Sequence, residues 1–145
     1  MEELLESLSY FFSAVMVDHV QELEREKMIR AVKWVSANEF YLAGHFPGEP
    51  ILPGVLTLEG IIQSALILAA ESPGRGKRSG TLAKVDRVRF KRAVIPGDRV
   101  EFLVSLTAKD GALWKFKGKA RVGEETAAEA DVVLKITQKE LGFGL

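Results

Sequence analysis

From Thr81 onward, apolar and polar residues alternate with the two-residue period of strands that have one dry and one wet face. Val100, Phe102, Val104 and Leu106 interleave with Glu101, Leu103 and Ser105, and Lys109-Asp110-Gly111 supplies a hairpin turn. Trp114, Phe116, Gly118, Ala120 and Val122 share one side of the next strand, whose other side carries Lys115, Lys117, Lys119 and Arg121. Gly123-Glu124-Glu125 turns the chain into Ala128, Ala130, Val132, Leu134 and Ile136, alternating with Glu129, Asp131, Val133 and Lys135. The acidic outer face of this last strand is placed to pair across with the basic outer face before it. A strand over Thr81 to Arg92, broken by Val94-Ile95-Pro96-Gly97-Asp98, completes the set.

The first part of the chain is more varied. Met1 to Tyr10 predicts a short acidic helix, and a strand pattern begins near Ala14, with Val15, Val17 and His19 alternating against Met16, Asp18 and Val20. Residues 28–36, MIRAVKWVS, have the Val, Ile and Trp content of a second strand, and the charged Glu22–Lys27 between them is a turn or a strand extension. One long segment breaks the two-residue period. Leu56 to Glu71 reads LTLEGIIQSALILAAE, apolar on every face except at Glu59, Gln63 and the small Thr57 and Ser64. A helix apolar all round is a buried helix. An antiparallel sheet of about six strands wrapped around one such helix is an α+β fold. The expectation is a single domain over residues 1–145 with its central helix at about 56–71.

The helix is preceded by an unusually stiff loop, Gly44-His45-Phe46-Pro47-Gly48-Glu49-Pro50-Ile51-Leu52-Pro53-Gly54-Val55. Pro47, Pro50 and Pro53 each fix their own φ and bias the preceding residue away from helix. Such a loop makes sense where its shape matters, and it carries one of the two histidines of the chain. His19, the other, follows Asp18 in a strand and reads as a solvated surface residue. Glu59 and Gln63, four apart, share one face of the helix. They are either a structural hydrogen-bonded pair near the helix start or part of a reactive site.

Composition narrows the chemistry. Lys and Arg total 20 against 20 Asp and Glu, so no global field recruits nucleic acid or anionic membrane. The absence of cysteine removes disulfides, thiol catalysis and thiolate metal sites, and two histidines do not make a histidine-rich metal site. The N-terminus, MEELLESLSYFFSAVMV, has no basic region and too short an apolar run for a signal peptide or a membrane span, so a soluble cytoplasmic protein is expected. Ser72-Pro73-Gly74-Arg75-Gly76-Lys77-Arg78-Ser79-Gly80 reads as a solvated breaker; a phosphate loop would precede a helix rather than follow one.

The stretch Gly44-His45-Phe46-Pro47-Gly48, Pro50-Ile51-Leu52-Pro53-Gly54-Val55, followed by Leu58-Glu59-Gly60-Ile61-Ile62-Gln63, closely resembles the 3-hydroxyacyl-acyl carrier protein dehydratases of dissociated fatty acid synthesis. The likeness extends in order through Val17-Asp18, Ser36-Ala37-Asn38-Glu39, Val85-Asp86, Arg89-Phe90-Lys91-Arg92, Ile95-Pro96-Gly97-Asp98 and Trp114-Lys115-Phe116-Lys117-Gly118. It implies a hot-dog fold acting as a homodimer or a trimer of dimers. It further implies His45 and Glu59, fourteen positions apart, as catalytic base and acid that meet across the dimer interface. The Gly54 N–H would face the thioester oxygen, the Ile51 carbonyl would fix the His45 ring, and Gln63 would orient Glu59. Phe46, Thr81 and Leu82 would line the acyl tunnel. Glu rather than Asp at position 59 goes, by the same resemblance, with dehydration without isomerisation. The chain departs from the family at Leu8–Ala14, which lacks the usual His, Arg and Pro. It departs again at Thr81, where a gating aromatic is common, and at Lys84, where a small residue is usual.

The chemistry of β-elimination fits these residue types. A neutral imidazole is a suitable base near neutral pH. A carboxyl group among apolar residues can stay protonated and donate, and N–H groups at a helix start stabilise an enolate-like oxygen. Phosphopantetheine arrives with the substrate, so neither a separate cofactor nor a metal is required. Arg87, Arg89, Lys91, Arg92 and Arg99 either meet an acidic acyl carrier protein or form the wet face of a strand. Two other readings stand beside the dehydratase. One is a hot-dog acyl thioesterase, which would use the acid to direct water and generally lacks this loop. The other is a catalytically silent acyl-binding or oligomer partner.

Overall fold

A computed structural model describes residues 15–36, 51–71 and 77–139. Within them one antiparallel sheet is built from β1 (His19–Glu24), β2 (Met28–Trp34), β3 (Lys77–Phe90), β4 (Arg99–Asp110), β5 (Leu113–Val122) and β6 (Glu125–Lys139). The order across the sheet is β1-β2-β4-β5-β6-β3. A single described helix, α1 (Gly54–Ala70), lies on the dry face, giving the hot-dog fold.

The alternation in the sequence is what creates that dry face. Phe102 and Val104 of β4, Trp114, Phe116 and Ala120 of β5, and Ala128, Ala130, Val132, Leu134 and Ile136 of β6 are all buried. Their neighbours point outward, where Lys117 stands opposite Asp131 and Lys119 opposite Glu129 in the ladder. The helix meets this surface through two glycines. A methyl group at Gly60 would lie 2.1 Å from the Phe102 ring, and one at Gly118 would lie 2.4 Å from Ile61 Cγ2. The helix backbone therefore rests directly on Phe102, while Ile61 fills the gap left at Gly118. Those contacts set the depth at which Glu59, one residue earlier, is held.

Several boundaries differ from the sequence pattern, each for a local reason. The helix begins at Gly54 rather than Leu56, because Pro53 (φ −54°, ψ 134°) serves as its N-cap and its carbonyl accepts from Leu56 N–H at 2.9 Å. β1 starts at His19 rather than near Ala14, although Met16 and Val17 before it are already buried. The β4–β5 ladder continues through the Asp110–Leu113 pair, so the tight loop is Gly111-Ala112, with Gly111 supplying φ 59°. β3 starts at Lys77, inside the stretch whose glycines and single proline suggested a break. Pairing with β6 overrides that local preference: Gly80 stands opposite Ile136, and the Ser79 and Thr137 hydroxyls lie 2.9 Å apart.

β3 is the exposed edge of the sheet beyond β6. It has 14 residues and two irregularities, between Leu82 and Lys84 and between Asp86 and Arg89. At the second, Arg87 takes φ 51° while its N–H donates to Asp86 Oδ1 at 2.8 Å. Leu82, Val88 and Phe90 are large apolar side chains left exposed along this strand.

Candidate active site

Helix α1 is not equally covered all round. Thr57, Gly60, Ile61, Ser64, Ala65 and Leu68 are buried against the sheet, whereas Val55 is 66 % exposed and Leu58, Glu59 and Leu66 are half-covered. The incomplete cover is concentrated in the first turns, because Gly60 to Ala65 are all buried. The result is an apolar helix start that the chain's own sheet only partly covers, with one carboxyl group set in it.

That carboxyl group is held from within the helix. Gln63 Nε2 donates to Glu59 Oε1 at 3.4 Å, and Gln63 Oε1 accepts from the Met16 N–H at 2.8 Å. Gln63 is fully buried, so satisfying its amide at both ends avoids the penalty of an orphaned polar group. The link between the helix and the segment before β1 therefore passes through the residue that contacts Glu59.

At the start of the helix, Ile51, Gly54, Val55, Phe90, Lys91 and Arg92 line a groove of about 620 Å³. The loop enters it antiparallel to residue 94, with the Leu52 N–H donating to Val94 O at 2.7 Å. Gly54 is the first helical residue, where an N–H has no carbonyl one turn earlier to bond. A Cβ at Gly54 would sit 3.0 Å from the Phe90 ring, so the backbone is tucked against that edge-strand aromatic. The structure thus gathers Ile51, Gly54, Lys91 and Arg92 in one groove, with Glu59 and Gln63 further along the same helix.

Other sequence candidates lie elsewhere. His45 and Phe46 are outside the described residues. Thr81 and Leu82 are exposed on the edge strand, opposite Lys135 and Leu134, and do not line the groove. The cations are largely engaged with acids. Arg87 Nε lies 3.8 Å from Asp131, Lys91 Nζ 3.3 Å from Glu129, Arg92 3.7 Å from Asp98 and 3.4 Å from Glu125, and Arg99 3.3 Å from Glu101. Arg89 shares with Arg87 a hollow of about 520 Å³ on the wet sheet face, which also contains Lys117, Lys119 and Asp131. His19 is exposed, as its setting suggested. Among the described residues no group of three or more His, Cys, Asp or Glu side chains is placed to hold a metal ion, and no helix is long and apolar enough to cross a membrane.

One feature escaped the sequence reading. Lys33 of β2 is 5 % exposed, with its ammonium 3.4 Å from Asp18 Oδ1. Residues 28–36 read as a strand by composition. The alternation Ile29, Ala31, Lys33 was the available signal that this lysine points to the dry side.

A family model described as a FabA-like domain matches residues 11–131 of the chain. The protein from Verminephrobacter eiseniae named 3-hydroxyacyl-[acyl-carrier-protein] dehydratase FabZ is 41% identical over 133 residues, covering 90% of this chain and 89% of that one. The chain belongs to the FabA/FabZ dehydratase family. A FabZ of the same name from Pectobacterium atrosepticum is 45% identical over 135 residues, covering 91% of this chain and 89% of its own. Among solved structures, the thioesterase HI1161 from Haemophilus influenzae superposes with a TM-score of 0.72 at 13% identity, covering 94% of this chain and 90% of that one. That likeness is one of fold alone, so it is the sequence match, and not the hot-dog architecture, that distinguishes the FabZ family from thioesterases.

Proposed function

We propose that the protein converts (3R)-hydroxyacyl groups on acyl carrier protein to trans-2-enoyl groups, in fatty acid or related lipid biosynthesis. The observation that carries this reading is the unbroken His45-to-Gln63 motif in a chain 41% and 45% identical to dehydratases of that name. The His45 imidazole takes a proton from C2. The electron pair moves toward the thioester carbonyl, whose oxygen is met by the Gly54 N–H. As the C3–oxygen bond breaks, Glu59 supplies the proton that lets the hydroxyl leave as water. The Ile51 carbonyl holds the histidine ring, and Gln63 holds the acid. Phe46 borders the acyl chain, as do the exposed Thr81 and Leu82 once a second subunit covers the edge strand, and the basic residues around Arg89 meet the carrier in the cytoplasm.

Two structural features support a site shared between subunits of a homodimer, alone or within a trimer of dimers. The apolar first turns of α1, which bear Glu59, are left half-covered by their own chain. The 14-residue edge strand β3 exposes Leu82, Val88 and Phe90, a surface that is an association hazard unless something covers it. A second copy laid on this edge would cover both.

Incubation with 3-hydroxyacyl- and crotonyl-carrier thioesters tests the reading. Interconversion of hydroxyacyl and enoyl forms with the thioester intact is the expected result. Release of free thiol would identify a thioesterase, and binding without turnover a silent acyl-binding partner.

A further inference from the structure

The buried Lys33 lies in phase with Ile29 and Ala31 on the dry side of β2, where an ammonium is costly unless charge-paired. Among its partners is Asp18, whose Oδ1 lies 3.4 Å from Nζ. The other oxygen, Oδ2, accepts from the Trp34 N–H at 2.8 Å, and the Asp18 N–H donates to Val32 O at 2.8 Å. Residue 18 is therefore tied to the end of β2 at three points. Two residues earlier, where the chain has become buried, the Met16 N–H reaches Gln63 Oε1 at 2.8 Å.

A main-chain N–H can only donate, so this bond decides which way round the Gln63 amide sits. Its oxygen must face Met16, and its NH2 must face Glu59 Oε1, 3.4 Å away. We propose that the Asp18–Lys33 pair is a positioning device for catalysis, holding the Met16–Asp18 segment so that Gln63 presents a donor to Glu59. This assigns the two carboxyl oxygens: Oε1 accepts from Gln63, and Oε2 carries the proton delivered to the leaving hydroxyl. A Met at 33 with an Asn at 18 would serve stability as well or better. What the ionic pair adds is a defined position for the strand that sets the amide. The inference rests on the dehydratase reading above.

The test compares wild type, Asp18→Asn, Lys33→Met and Glu59→Gln in steady-state dehydration, with hydrogen exchange at the Met16 amide. Asp18→Asn keeps size but must turn its NH2 toward either the Trp34 N–H or the Lys33 ammonium, donor against donor. Lys33→Met exchanges a buried charge for an apolar chain of similar length, so a folded variant is available even if Asp18→Asn does not fold. In the folded variants kcat falls about ten- to a hundred-fold, as for small displacements of a catalytic group, with KM within about twofold. Met16 exchanges faster in the same variants, and a protein carrying both Asp18→Asn and Lys33→Met is no slower than the slower single one. The inference is overturned if both variants keep wild-type kcat, if the loss appears in KM alone, or if kcat falls while Met16 stays protected. Any of these with Glu59→Gln inactive leaves the dehydratase reading standing. A wild-type chain without dehydration, or a fully active Glu59→Gln, overturns both.

Discussion

Replacing Gly60 by Ala tests how closely the reactive helix is seated on the sheet. In an exposed helix the change stabilises by about 1 kcal/mol, since Gly is a poor helix former. Here the new methyl would lie 2.1 Å from Phe102 Cζ and 2.4 Å from Cε1, and the ring is 0 % exposed, so it has nowhere to turn. Overpacking of this kind costs about 1–3 kcal/mol, which exceeds the helix gain and leaves a net loss of about 1 kcal/mol. Gly54 provides a control in the same helix. A methyl there meets Phe90 at 3.0 Å, but Phe90 is 56 % exposed and its ring can swing outward, so Gly54→Ala changes stability little. Urea unfolding of Gly60→Ala in the wild-type and Phe102→Leu backgrounds measures the balance. The substitution destabilises with Phe102 present and becomes neutral or stabilising once the ring is replaced. Because Glu59 adjoins the displaced residue, kcat falls with the first variant as well. A Gly60→Ala protein more stable than wild type with Phe102 intact would refute the seating.

Two further outcomes follow from the placement of Glu59. Glu59→Gln keeps shape and the contact with Gln63 but has no acidic proton, so dehydration falls by about 10²–10⁴-fold while thermal melts hold level or rise; a large fall in melting temperature would assign the residue a structural role. His45→Ala subunits mixed with Glu59→Ala subunits recover about a quarter of wild-type activity, because half the dimers are mixed and each of those holds one intact site. Confirmed exchange without recovered activity would place the whole site in one chain.

The sheet was legible because period-two patterning from Val100 to Ile136 coincides with burial nearly residue for residue. The same alternation placed Lys117 and Lys119 on the face that meets Asp131 and Glu129. The start of β3 was not legible. Ser79 and Gly80 have poor strand preference, and their conformation is imposed by Thr137 and Ile136, more than fifty residues away. The helix was recognisable as buried, but not its incomplete cover: an all-round apolar sequence cannot show which turns its own sheet leaves open. Glu59 beside Gln63 was readable from their spacing of four. The tie from Gln63 to Met16, and the Asp18–Lys33 pair behind it, arise from tertiary contact. The basic cluster was visible as charge; Asp98 and Glu101 lie within six residues of the arginines they meet, but Asp131 and Glu129 come from β6, about forty residues away.

The most direct measurement of the central claim is the turnover of His45→Ala on a 3-hydroxyacyl-carrier thioester, alongside its circular dichroism and thermal melt. A folded protein with near wild-type stability and dehydration lowered by about 10²-fold or more is expected if His45 is the base as proposed. A folded His45→Ala protein that kept most of the wild-type rate would contradict that role.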